Sequence, residues 1–597
     1  MQELKARRDF VKMVAGGSLK CMLAWNLLGK TPRAGASSAG PSKARDEFFQ
    51  PVVERWGIQE ISLTTVKTYS NPFTDVRVSC QFKCGSTQVT SEGFYDGGNS
   101  WKVRLMPPVE GQWTFETSSE DGELNGKRGV FRCSSPASNN HGPVAVRNQY
   151  HLAYADGTAY YGLGTTLYNW VHREERLQQE TLAQLKNSPF NKVRFCIFPK
   201  WYSFNHVEPP LFPYRKTDGG KFDLERFDPE YFRHIEQRLR DLDALGIQAD
   251  LILFHPYDHW GFATMDAAHD DAYLRYLVSR LAAFRNVWWT MANEWDFFTP
   301  TKNWDPIFQT VQRLDPYNHL RGIHNGDIWY DHGKPWVTHC EIQLQGGDTY
   351  ATAVGARTEY GKPVCVEEYG YEGNNTNQWG DLSANEEVER HWGIAMAGAY
   401  GSHGETYVQP GDILWWAVGG KLVGESPPRL AFLKQLMSEA PYEQMEPLAG
   451  IIKPGTALGK KGAYYLFRFA SLEWEEEIEI DLEGQQPYEV DLIDPWLMKV
   501  YRLGQTFAGK QSFFLHLAPS LLRLKCTTPS AAASNPSSIA QLLQRWEANS
   551  DPRIAGLRPV RRSFTHTFHW RCCTDERSHA TSVMITSEQA LAFATPT

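Results

Sequence analysis

The pattern of apolar and polar positions changes character twice along the chain. From Glu54 to about Val146, short alternating segments are punctuated by Gly, Pro and Asn. Ile61-Ser-Leu, Val76-Arg-Val, Trp101-Lys-Val-Arg-Leu and Trp113-Thr-Phe-Glu-Thr read as half-buried strands. With no helical spacing between them, they predict an antiparallel β-sandwich over residues 54–147. After Tyr150, strand-like runs alternate with stripes of period 3.6 such as Phe232, Ile235, Leu239, Leu242 and Tyr273, Leu277, Leu281. The predicted strands are Tyr160–Leu167, Val193–Phe198, Gln248–Phe254, Val287–Ala292, a fifth around Arg321–His324, Trp336–Cys340, Pro363–Glu368 and an eighth near Gly404–Val408. Eight strand–helix units over residues 150–440 predict a (β/α)8 TIM barrel. From about Pro447 the helical spacing stops. Tyr464–Phe469, Glu477–Leu482, Tyr488–Ile493, Met498–Leu503, Ser512–Leu517 and Leu521–Lys525 predict a C-terminal β-sandwich over 447–526. Residues 527–597 open on a Thr/Pro/Ser/Ala-rich linker and lose all period, which predicts a disordered tail. The expectation is therefore a multidomain chain: a barrel flanked by two sandwiches.

Composition narrows the partners. A net charge of −8 with no dense Lys/Arg block argues against nucleic acid. No run approaches 18 apolar residues, so no membrane span is expected. The 21 Trp offer flat apolar faces with a polar edge, which suits sugar rings as well as cores. Ten scattered Cys include no CxxC pair, which gives no zinc-ribbon or thioredoxin-like signal. Cys80, Cys84 and Cys133 fall within the first sandwich and are compatible with one disulfide or with free thiols. At the N-terminus, Arg7-Arg8-Asp9-Phe10-Val11-Lys12 precedes a weakly apolar stretch and Ala34-Gly35-Ala36. Residues 1–40 resemble a twin-arginine export signal, implying a periplasmic or extracellular protein; the alternative is a basic tail.

The candidate chemistry sits at two predicted strand ends. The apolar run from Asn286 ends in Asn293-Glu294-Trp295-Asp296, and 74 residues after Glu294 the run from Lys362 ends in Glu367-Glu368-Tyr-Gly-Tyr-Glu372. Carboxylates where barrel strands meet solvent are placed for catalysis, and a pair of them is the minimum for cleaving a glycosidic bond. Alternation puts Glu367 and Glu368 on opposite faces and does not say which looks into the barrel mouth.

Asn293-Glu294 after the fourth strand resembles the acid/base motif of clan A glycoside hydrolases. Pro363-Val-Cys-Val-Glu-Glu-Tyr-Gly-Tyr-Glu-Gly-Asn, with Trp379-Gly and His403-Gly-Glu-Thr-Tyr downstream, resembles a bacterial apiosidase-like and endoglucanase-like barrel group. Gly93-Phe-Tyr-Asp-Gly-Gly with Gly111-Gln-Trp-Thr-Phe resembles the immunoglobulin-like domain that precedes many such barrels. The resemblance implies a glycosidase that cleaves β-linked poly- or oligosaccharide with retention, Glu294 as acid/base and Glu368 as nucleophile, and no metal or organic cofactor.

Around that pair, Asn293 is expected to bond the sugar and Arg194 to face the nucleophile. His255, Trp260, His324 and His339 follow or end strands as candidate substrate-binding residues, and Trp170 and Trp415 (with Trp416) are candidate sugar platforms. Glu405 is a third carboxylate within possible reach. Three other readings stand beside this one: an inverting glycosidase, a carbohydrate-binding protein on a barrel scaffold, and a metallohydrolase built on His255, Asp258, His324 and His339. Oligomeric state is left open.

Overall fold

The computed structural model describes residues 51–526, apart from 345, 470–475, 483 and 516–520. The segments expected to be an export signal (1–40) and a disordered tail (527–597) lie outside the described residues.

The first domain consists of two sheets. One has five strands in the order Val52–Glu54, Arg128–Ser134, Gly111–Ser119, Val78–Cys84 and Thr87–Glu92. The other has three: Gln59–Thr64, Ser100–Leu105 and Phe94–Tyr95. Alternating side chains of both sheets, among them Phe82, Trp101, Val103, Trp113 and Phe131, meet in a shared core. Pairing is antiparallel except at the Val52–Glu54 edge, which runs parallel to Arg128–Ser134. Cys80, Cys84 and Cys133 are free thiols.

A buried ion cluster joins this domain to the barrel. Arg104 donates both terminal nitrogens to Glu236, each at 2.8 Å, and Arg280 reaches Glu236 at 2.8 Å and Asp96 at 2.9 Å. Such a cluster is a weak source of net stability. Its directional bonds nevertheless favour one orientation of sandwich on barrel.

The barrel comprises eight parallel strands: Leu163–Thr166, Lys192–Cys196, Gln248–Phe254, Val287–Ala292, Arg321–Gly322, Cys340–Gln343, Val364–Glu368 and Tyr400–His403. It is nearly closed, with no ladder between the fifth and sixth strands. Side chains bridge that gap. Thr338 Oγ1 accepts from the Arg321 amide at 2.7 Å, and Asn325 exchanges two bonds with the Gln343 backbone at 2.9 and 3.2 Å.

Three features differ from the sequence expectation. The sixth strand starts at Cys340 rather than Trp336, because Trp336–His339 is the loop leading into the barrel floor. A charged side chain inside the barrel, Glu341, breaks the apolar signature of the true strand. The eighth strand is Tyr400–His403, not 404–408; its small residues are dictated by close packing and leave no hydrophobic pattern. A Cβ on Gly401 would lie 2.7 Å from the His391 ring. The fifth strand has no helix after it, so among the described residues seven of the eight barrel strands are followed by a helix.

The barrel interior is polar. Lys192 pairs with Asp250 at 3.1 Å and closely with Glu367, which also accepts from Ser402. Thr290 donates to Asp250 or Glu341, and Arg194 Nε donates to Glu341 at 3.1 Å. Burial, with Asp250 nearby, pushes the Glu341 carboxyl up to about 8. This layer is the floor on which the candidate site stands.

The C-terminal domain has a six-stranded and a three-stranded sheet around Ala457, Phe467, Ile478, Ile480 and Leu492. It contains three strands not expected from sequence: Glu446–Pro447, Ile452–Lys453 and Thr456–Lys460. Leu458, Leu466 and Ile493 pack into the same core as Trp392, Met396 and Leu433 of the barrel helices.

Candidate active site

Both candidate acids reach one cleft at the C-terminal mouth of the barrel. It has a volume of about 220 Å³, and Tyr202, Tyr257, Trp379 and Trp416 form its aromatic walls.

Glu294 arrives from the fourth strand, whose six residues are all buried. The chain must turn sharply there, and Glu294 takes the left-handed conformation, φ 49° and ψ 57°. For a residue with a Cβ that conformation costs about 1–2 kcal/mol. Strain of this kind persists where surrounding contacts over-determine it. Asn293 Nδ2 donates to Glu294 Oε2 at 2.6 Å and holds the carboxyl in place. Burial raises its pKa against the opposing pull of Lys200, and the charge of Glu368 raises it further.

Glu368 ends the seventh strand, at an irregularity in its ladder with the sixth. Its Oε1 is in close contact with the Tyr168 hydroxyl, accepts from Arg194 Nη1 at 3.3 Å and lies 3.7 Å from His324 Nε2. Arg194 is wholly buried and organises the site. Besides Glu341 and Glu368 it donates to Asn293 Oδ1 at 2.8 Å and to the Tyr168 hydroxyl at 3.3 Å. The Tyr168 hydroxyl also lies 2.9 Å from Asn293 Oδ1, so its one proton serves either acceptor. Glu367, the neighbour that alternation could not separate from Glu368, points into the barrel floor and pairs with Lys192.

Lys200 was not singled out from the sequence. Its ammonium lies 3.6, 4.1 and 4.6 Å from the ring centroids of Tyr168, Tyr257 and Tyr202. Cation–π attraction of about 0.5–2 kcal/mol per ring partly offsets its desolvation. Burial still lowers its pKa, with Glu294 pulling the other way.

The remaining expected residues are dispersed. Trp170 is buried edge-on against Phe195, and Trp415 is buried with its Nε1 donating to Thr165 at 2.9 Å. Both belong to the core, because their backbone positions direct them inward; the adjacent Trp416 lines the cleft instead. His339 stands before the sixth strand, against the Trp288 ring, at the opposite end of the barrel from the mouth. His255 is buried behind the cleft, facing the Phe198 carbonyl at 3.0 Å, and burial pushes its pKa down to about 3. Trp260 sits in a neighbouring groove with Glu208 and His259. Glu372 and Glu405 face the 423–426 loop rather than the cleft. Asp258 accepts from the amides of Trp260, Gly261 and Ala263, so it and the three histidines do not converge as a metal centre. The interior trio Asp250, Glu341 and Glu367 has ligand spacing, but Lys192 and Arg194 already supply its positive charge.

Tyr168, Tyr202, Tyr257 and Tyr371 were missed. The strand-end rule could have found Tyr168, two residues past Thr166, and Tyr257, three past Phe254. Lys200 in Phe-Pro-Lys-Trp-Tyr had only its isolation after an apolar run as a signal.

The family described as apiosidase-like, catalytic domain, matches residues 146–444. A domain of unknown function, DUF5060, matches residues 52–120. Among solved structures, the chain is 37% identical to a Bacteroides vulgatus ATCC 8482 protein assigned to the glycoside hydrolases. That alignment covers 80% of this chain and 100% of the other, with a TM-score of 0.75. A glycoside hydrolase family 5 structure from the same organism is 16% identical over 68% of this chain and 98% of its own, with a TM-score of 0.54, and shares the fold. No curated protein matches the chain.

Proposed function

The chain belongs to the apiosidase-like family of glycoside hydrolases, and from that premise we propose that it is an exported glycosidase that cleaves β-linked poly- or oligosaccharide with retention. Glu368 is the nucleophile and Glu294 the acid/base. One observation carries this reading: two carboxyls share a cleft in opposite environments. Glu294 is buried and shifted toward its protonated form, whereas Glu368 faces the guanidinium of Arg194 and the hydroxyl of Tyr168. Divided environments are how two acids acquire two roles.

In the first step the Glu294 proton passes to the glycosidic oxygen as its bond to the anomeric carbon breaks, and a Glu368 oxygen bonds to that carbon. In the second, the Glu294 carboxylate takes a proton from water, whose oxygen displaces Glu368 from the sugar. Trp416 and Trp379, with ring centroids 5.1 Å apart, offer apolar faces to the sugar. Export rests on Arg7-Arg8 and the residues after it.

The test is hydrolysis of aryl β-glycosides and plant polysaccharides by wild type and Glu368→Ala, with and without azide. Loss of activity in the variant, rescued by azide as a glycosyl azide of inverted configuration, is the expected result. A product of inverted anomeric configuration from the wild type would make the enzyme inverting. Polysaccharide binding without hydrolysis of any substrate would favour a binding protein.

A further inference from the structure

A second buried acidic group lies between the seventh and eighth strands, outside the cleft. Glu372–Gly373 pairs in parallel with Glu405–Thr406, Glu387 stands in the first turn of helix Ala384–Met396, and His403 ends the eighth strand. All four side chains are fully buried. Ligand atoms of Glu372, Glu387 and His403 lie within 4.8 Å of one another.

The comparison with the barrel floor is informative. Asp250, Glu341 and Glu367 form a trio of the same kind, and Lys192 and Arg194 pair with it. Among the described residues, no lysine or arginine forms an ion pair with Glu372, Glu387 or Glu405; the sole ion-pair contact is His403 with Glu387. Backbone amides share the load, with the Tyr407 hydroxyl donating to Glu372 at 3.3 Å. Glu372 accepts from Glu425 and Ser426 at 2.7 and 2.9 Å, Glu405 from Val423 and Gly424 at 2.8 and 2.9 Å, and Glu387 from the Glu372 amide. Partial charges do not cancel whole ones, and buried carboxylates are ordinarily matched by a cation.

Among the described residues, two ligand atoms of this cluster remain without a hydrogen-bond partner: Glu387 Oε1 and His403 Nε2. They face each other at 3.9 Å. That is too long for a hydrogen bond, yet a single ion with bonds of about 2.0–2.2 Å can touch both. The other ring nitrogen, Nδ1, lies 3.4 Å from Thr165 Oγ1. Donation there leaves the Nε2 lone pair free, as metal-ligating histidines require.

We propose that Glu372, Glu387 and His403 bind a divalent transition-metal cation. Two carboxylates and an imidazole suit Zn²⁺ or Mn²⁺ better than Ca²⁺ or Mg²⁺, which take oxygen ligands. The ion's role is structural, since none of its ligands lines the cleft. It clamps the loop after the seventh strand, which carries the cleft residue Tyr371, to the eighth strand and, through Glu372, to the start of helix Ser426–Glu439. The inference does not depend on the glycosidase reading.

The experiment uses the full chain purified without chelator: metal content by mass spectrometry, and melting temperature before and after dipicolinate, then after added Zn²⁺ or Mn²⁺. The expected result is about one equivalent of metal. Chelation should lower the melting temperature by several degrees, and one of the two ions should restore it. Glu387→Gln should lose the metal, and Glu367→Gln in the barrel floor should keep it. Wild type holding less than roughly a tenth of an equivalent, with neither ion raising its melting temperature, would overturn the proposal and leave a protonated Glu387 bridged to His403 by water. Undiminished metal in Glu387→Gln would overturn it equally. If that variant does not fold, chelation and re-addition on the wild type decide alone.

Discussion

Glu294 combines two local costs whose removal should stabilise the fold while abolishing activity. The first is electrostatic. Its pKa is raised in the folded state, chiefly by burial, so between its unfolded value near 4.5 and that raised value the native state holds more protons than the unfolded one. Stability therefore falls as pH rises through this window and stays lower above it. Each unit of the shift corresponds to about 1.4 kcal/mol. Glu294→Gln keeps the shape and can still accept from Asn293 Nδ2, so it isolates this contribution. Its gain over wild type should vanish below about pH 4 and grow toward neutrality. The second cost is the left-handed backbone at φ 49°, about 1–2 kcal/mol for a residue with a Cβ. Glu294→Gly removes it too, but loses about 0.5–1 kcal/mol to the greater freedom of its unfolded chain. It also loses the bond to Asn293, about 1 kcal/mol, so Gly should end within about 1 kcal/mol of Gln. The assay is melting temperature from pH 4 to 8 for the three proteins, with gains of about 2–4 °C expected per kcal/mol. Hydrolysis of unactivated glycosides should fall by about 10²–10⁴ in both variants. A Glu294→Gln variant no more stable than wild type at pH 7, or with a pH-independent difference, would refute the electrostatic reasoning.

Two further outcomes follow from the geometry. Arg194→Met strips Glu368, Asn293, Glu341 and Tyr168 of one shared donor in a fully buried setting; thermal denaturation should show a loss of about 3–5 kcal/mol, with hydrolysis lost as well. The adjacent tryptophans should separate cleanly. Trp415→Ala should cost about 3–5 kcal/mol of stability, whereas Trp416→Ala should mainly raise KM, as unfolding curves and Michaelis plots on one substrate would show.

Legibility in the sequence followed how far each element depends on burial alone. Gln248–Phe254 and Val287–Ala292 are buried throughout and match their observed strands residue for residue. Tyr400–His403 is equally buried, and Cys340–Gln343 is buried up to Ile342, but they carry Gly, Ser, His and Glu. Those residues are explained by partners distant in the chain: the His391 ring against Gly401, and Arg194 beside Glu341. The same limit explains the tryptophans. Trp415 and Trp416 are indistinguishable by composition, and only the turn into helix Trp415–Val418 sends one to Thr165 and the other to the cleft.

The sequence by itself therefore determined the order of layers, the approximate strands and the two strand ends at which acids emerge, because hydrophobic periodicity and chain direction are local properties. The tertiary structure decided which acid of Glu367-Glu368 faces the cleft, which cations stand beside each carboxyl, and which buried acids have none among the described residues. Charge compensation depends on distance in space, and residues such as Lys200 and Glu294, or Arg194 and Glu368, are near neighbours only once the barrel is closed.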